Sequence, residues 1–169
     1  AAHCPPTGGR PSLTALRLEG FAESVAARLA ALIDELADFG AARELTPDEA
    51  ADFWRSVTTA APLAGTETLW RAQVAPSRAA ALAQSVADED GRCLIDWAGA
   101  ALWIGAPAAC DVRSAALAAQ GHAMLVRAPG ELRTRIPARK AGSPALGALE
   151  ARLRQAFDPA GILDPHRFS

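Results

Sequence analysis

Cysteine is scarce in this sequence: Cys4, Cys93 and Cys110 are the only three among 169 residues. The number is odd and no Cys-x-x-Cys spacing occurs, which argues against a disulfide framework and against a zinc or iron–sulfur site held by this chain. Reduced, buried thiols of a cytoplasmic protein are the expectation. His3, His122 and His166 lie far apart, and none has a histidine partner one helical turn away, so no metal ligand set is expected. No apolar run approaches the roughly 20 residues of a membrane span, and no charged-then-apolar leader opens the chain. Lys140 is the only lysine, and every other basic residue is arginine, so the arginine count reflects compositional bias more than anion binding. Seventeen basic against nineteen acidic side chains give a net charge of -2, without the concentrated positive field that nucleic-acid binding needs. Also missing are a Gly-rich strand-to-helix turn for phosphates, a Walker loop and a Gly-x-Ser-x-Gly elbow.

What is present is an ordinary folding composition, 50% hydrophobic and 21% charged. The length suits one domain, or two small subdomains sharing a core. The chain opens Ala1-Ala2-His3-Cys4 without an initiator methionine, and it is small for an enzyme that holds both a large cofactor and a substrate. It reads as a segment cut from a longer protein, or as a chain trimmed after expression.

Hydrophobic periodicity predicts the elements. A short strand at residues 1–6 and a second over 13–19 precede a helix over 22–38, where Val25, Leu29, Leu32, Ile33 and Leu36 recur at helical spacing. Thr46-Pro47-Asp48-Glu49 starts a second helix, with threonine as N-cap, proline in the first position and glutamate in the third. Residues 66–74 alternate as a strand, with Thr68, Trp70, Ala72 and Val74 on one face and Leu69, Arg71 and Gln73 on the other. Pro76-Ser77 opens a helix. Strands over 92–97 and 100–104 form a tight hairpin. A helix over 108–120, a strand over 122–127, a loop over 128–142 and a last helix from Ser143-Pro144 to about residue 156 follow. Between 67 and 127 the order is strand, helix, strand, strand, helix, strand. That is the ferredoxin-like order, an α+β fold with an antiparallel sheet and helices on one face. Residues 1–65 offer a degenerate second copy feeding the same sheet.

Five blocks carry a family resemblance. Phe157-Asp158-Pro159-Ala160-Gly161-Ile162-Leu163-Asp164-Pro165-His166-Arg167 resembles the Phe-Asp-Pro-x-Gly-Ile-Leu-Asn-Pro-Gly-Arg ending of FAD-linked oxidases of the vanillyl-alcohol oxidase and D-lactate dehydrogenase type. Leu16-Arg17-Leu18-Glu19-Gly20, Leu69-Trp70-Arg71, the run from Ile95 to Trp103 and the run from Gly121 to Arg127 look like blocks of the glycolate oxidase FAD-binding subunit, in the same order. The resemblance covers about residue 13 to the end. It departs from the family at Asp164 for asparagine, at His166 for glycine, and at Gln120 in the family's Gly-Gly-His.

The resemblance implies a C-terminal cap domain over residues 1–169, with the FAD-binding domain upstream and absent from this chain. The whole enzyme would oxidise a small 2-hydroxy acid to a 2-oxo acid with hydride transfer to FAD. Its partners would be a second flavin subunit and an iron–sulfur subunit. It would be cytoplasmic, reaching a membrane only through those subunits. The isolated chain is expected to bind no FAD and to turn nothing over. The reading from another class is a non-catalytic ferredoxin-like domain that binds a partner protein or a small ligand.

Site expectations follow, each beside a plainer one. His122 takes the hydroxyl proton of the substrate, or it is a surface or packing residue. Arg71 and Arg127, on strands expected to be neighbours, hold the substrate carboxylate as a pair if they share a face, or they are solvated. Trp70, Trp97 and Trp103 are core or subunit-contact aromatics, or they form a wall beside the flavin, with Trp70 assigned to the substrate site. Asp164 and Arg167 face the cofactor, or they simply follow the turn at Asp158-Pro159-Ala160-Gly161.

Overall fold

The computed structural model describes residues 1–5, 11–136 and 144–163. In chain order the elements are β1 (Ala2–Cys4), β2 (Leu13–Ala15), α1 (Ala22–Glu35), α2 (Pro47–Thr58), β3 (Thr68–Gln73), α3 (Ala79–Ala87), β4 (Arg92–Asp96), β5 (Ala101–Ala106), α4 (Val112–Ala118), β6 (His122–Arg127), α5 (Gly130–Arg135) and α6 (Pro144–Phe157). The fold is α+β. Its six strands form one antiparallel sheet in the order β2-β1-β4-β5-β3-β6.

The stretch from β3 to β6 has the strand order of a ferredoxin-like unit, because each helix returns the chain to a position one strand away. The alternation in β3 decides which side is the core. Trp70, Ala72 and Val74 join Leu102, Ile104 and Leu125 from the other strands beneath Leu82 and Val86 of α3 and Val112 and Ala116 of α4. Within that core the Thr68 hydroxyl donates to the Ala106 carbonyl at 2.8 Å and accepts from the Trp70 indole N–H at 2.9 Å, so both buried polar groups are paired.

The N-terminal part departs from the expected second copy. It adds two three-residue strands at the β4 edge, joined to it through the single pair His3↔Ile95. The pairing of β2 stops at Ala15, short of the strand expected to residue 19. α2 starts as its sequence predicts, with a complete capping box between Thr46 and Glu49. Its Val57, followed by Ala60 and Leu63, covers part of the second sheet face over Leu69 and Leu94. The loop expected over 128–142 contains α5, a short helix begun after Pro129. α1 and α6 both form where periodicity places them, yet neither buries a residue. Leu149 and Leu153 of α6 are each 50% exposed.

Candidate functional site

The second sheet face carries the candidate site, and strand register lays it out in three rows across β4, β5, β3 and β6. The first row is Arg92, Gly105, Leu69 and Arg127; the second is Leu94, Trp103, Arg71 and Met124; the third is Asp96, Ala101, Gln73 and His122. α2 and the turn after it close the first row. The second and third rows open outward, with Arg71 and Asp96 half-buried and Gln73 and His122 exposed.

Arg71 is the centre of this face. Its guanidinium carbon lies 4.7 Å from the ring centre of Trp103, its partner in the ladder, and 5.1 Å from that of Trp97. Cation–π attraction holds the guanidinium there. No carboxylate pairs with it among the described residues. Its fork of N–H donors is therefore available to a planar anion.

Trp97 reaches Arg71 through an unusual turn. Trp97, Ala98 and Gly99 all have positive φ, at 51°, 53° and 98°. Two of these are side-chain-bearing residues in the left-handed region, which costs about 1–2 kcal/mol each. The Asp96 carboxylate helps hold the turn by accepting the Trp97 N–H at 2.7 Å. Backbone strain of this kind concentrates at ligand sites.

His122 begins β6 opposite Gln73, with its side chain on the same face as Arg71. It is the diagonal neighbour of Arg71, a relationship that sets the two residues about 7–8 Å apart, with their Cβ atoms somewhat closer. Gly121 lets β6 come this close: a Cβ there would stand 2.2 Å from the Gln73 carbonyl oxygen.

The other expected residues fall elsewhere. Trp70 is not at the site. It is 3% exposed on the opposite, helix-covered face, with Arg113 over its ring at 5.3 Å. Arg127 stands on the Arg71 side, but the two guanidinia do not meet. Arg127 Nη2 donates to the carbonyls of Leu63, Ala64 and Thr66 at 3.1–3.3 Å and so ties β6 to the turn after α2. Asp164 and Arg167 lie outside the described residues. Upstream of them, Asp158 takes the plain role: its carboxylate accepts the N–H groups of Ile162 and Leu163 and closes the turn after α6.

Trp97 and Trp103 were weighed only as core or contact aromatics or as a wall beside the flavin, and Gln73 and Asp96 were not singled out from sequence. Gln73 could have been, since alternation already set it beside Arg71. Asp96 needed the register. An open depression of about 330 Å³ beside β1, lined by His3, Thr14, Ile95, Ala98 and Gly99, holds none of these groups. No cluster of metal-ligating side chains occurs among the described residues, and no helix among them is long and apolar enough to cross a membrane. No protein-family model, curated protein or solved structure matches the chain.

Proposed function

We propose that this chain is the cap domain of an FAD-linked oxidoreductase that oxidises a small 2-hydroxy acid to a 2-oxo acid. The observation that supports this most is Arg71, a half-buried cation without a carboxylate partner among the described residues, one diagonal step from His122 on an open sheet face. Arg71 receives the substrate carboxylate edge-on while the indoles hold its plane. His122 accepts the hydroxyl proton as the C2 hydrogen leaves with its electron pair. FAD, when bound, supplies the acceptor for that hydride. The exposed indole of Trp97 and the amide of Gln73 suit a flat ring with a polar edge, so the face fits such a group.

The upstream FAD-binding domain, the second flavin subunit and the iron–sulfur subunit belong to the same proposal. The non-catalytic reading draws on a different observation: the unburied apolar residues of α1 and α6 suit a partner protein. Expressing the full reading frame separates the two. A flavin spectrum bleached by glycolate or D-lactate is the expected result. A frame that encodes no FAD-binding domain overturns the oxidoreductase reading. The 169-residue chain alone is expected to purify colourless and inactive.

A further inference from the structure

The open face offers an anion one cation and then a carboxylate. From Arg71, a ligand cannot extend toward Arg92 or Arg127, because the buried side chains of Leu63, Leu69 and Leu94 stand between, and Arg127 is already committed to three carbonyls. It must extend over the third row. There the charged group is Asp96, held half-buried on this face by its hydrogen bond to the Trp97 N–H. Ala101 beside it and Gln73 one strand further carry no charge, and His122 stands at the far end of the row.

Resting on the reading of Arg71 as the carboxylate anchor, we propose that Asp96 determines specificity, admitting monocarboxylates and repelling ligands that carry a second anionic group. Two like charges brought to within several ångströms at a protein surface repel enough to change affinity by about tenfold. The indoles of Trp97 and Trp103 leave room beside the anchor for a neutral, apolar substituent. Asp96 therefore has two tasks: its Oδ1 fixes the turn that carries Trp97, and its charge filters the ligand. Asp96→Asn separates them, since an amide oxygen can still accept the Trp97 N–H.

The test is a titration of the ¹⁵N-labelled 169-residue chain at pH 8 with D-lactate and with D-malate, read from the indole N–H signals of Trp97 and Trp103. D-lactate is expected to shift both signals to saturation, and D-malate to bind at least about tenfold more weakly. In Asp96→Asn the two affinities should fall within about threefold of each other, since the repulsion is gone. Equal affinities in the unsubstituted chain, or a gap that survives Asp96→Asn, overturn the role of Asp96 while leaving the Arg71 anchor standing. If D-lactate shifts neither signal, or shifts them equally in Arg71→Met, the anchor itself falls and this proposal with it.

Discussion

Arg71 and Trp103 face each other across the β3–β5 ladder, with the guanidinium carbon 4.7 Å from the indole centre. The pairing orients a cation without neutralising it. An ion pair would have done both, and would have left nothing for a ligand. The same geometry explains why Trp97 is held out of the core at 59% exposure, in a turn strained at two successive side-chain-bearing residues. Its ring supplies the second wall of the guanidinium slot.

Arg71→Met keeps an unbranched apolar stem and removes the charge. The stem preserves most packing against the indoles, so unfolding stability should fall by only about 1 kcal/mol, the size of a lost surface cation–π contact. Carboxylate binding should weaken by roughly tenfold or more, the equivalent of about 1.5–3 kcal/mol for a charged hydrogen bond. Urea unfolding together with a D-lactate titration checks both halves. A variant that loses stability heavily but keeps its affinity would contradict the assignment.

Arg127→Met should behave in the opposite way. It removes three hydrogen bonds to the turn after α2, and Arg127 is itself exposed. A loss of about 1 kcal/mol is expected, seen as a lower urea midpoint. Affinity for D-lactate should stay within about twofold, because the guanidinium donates to backbone and not into the open rows. A tenfold affinity loss would restore Arg127 to the ligand site.

The contrast between these arginines shows what the sequence could and could not convey. Alternation in β3 alone placed Arg71 and Trp70 on opposite faces, so the displacement of Trp70 from the site was already implicit in the pattern. Arg127 was not readable in that way. Strict alternation from Met124 would turn it toward the helices with Leu125, but the register slips between Leu69 and Trp70 and re-aims it. The ferredoxin-like order and the Thr46 capping box were legible because both arise from local periodicity and spacing. The placement of Asp96, Arg71 and His122 on one sheet face was not, since it depends on strand order and register across four strands. The Trp97 turn was hidden for another reason: positive φ usually announces itself through glycine, and here only Gly99 does. For α1, periodicity correctly promised a helix with an apolar stripe, and for α6 the Ser143-Pro144 start promised a helix, but neither signal says what covers the element.

Gly121→Ala tests how β6 is brought to the site. The added methyl would sit 2.2 Å from the Gln73 carbonyl oxygen and 2.3 Å from Val74 Cγ1. Backbone is in the way, so a rotamer change in Val74 cannot relieve the clash. The strand must move. Overpacking of this kind costs about 1–3 kcal/mol, and His122 is the next residue along. The expected result is a loss of that size on urea unfolding, with amide shifts concentrated at Gln73, Val74 and His122. Unchanged stability would mean that β6 approaches β3 less closely than described.

The buried thiols give the chain a pH signature. Burial pushes the Cys93 thiol up to about 12, with Cys110 nearby adding to it, and burial beside Glu89 and Asp111 pushes the Cys110 thiol up to about 11. Cys4, half-buried, moves up as well through desolvation. At pH 8 the folded chain should therefore leave Cys93 and Cys110 almost unreactive toward a thiol-disulfide reagent, while all three react once urea unfolds it. The sign of the stability effect follows from linkage. In the unfolded chain these thiols ionise near their ordinary value of 9.0, so above that pH the unfolded state releases protons that the folded state still holds. The stabilisation from their neutral burial is complete below about pH 9 and is lost as pH climbs through 11 and 12. Urea midpoints should hold between pH 8 and about pH 9 and then fall toward pH 11, and Cys93→Ala should flatten that fall even though it lowers stability at pH 8. A Cys93→Ala chain with the same slope as the unsubstituted one would remove Cys93 as the cause.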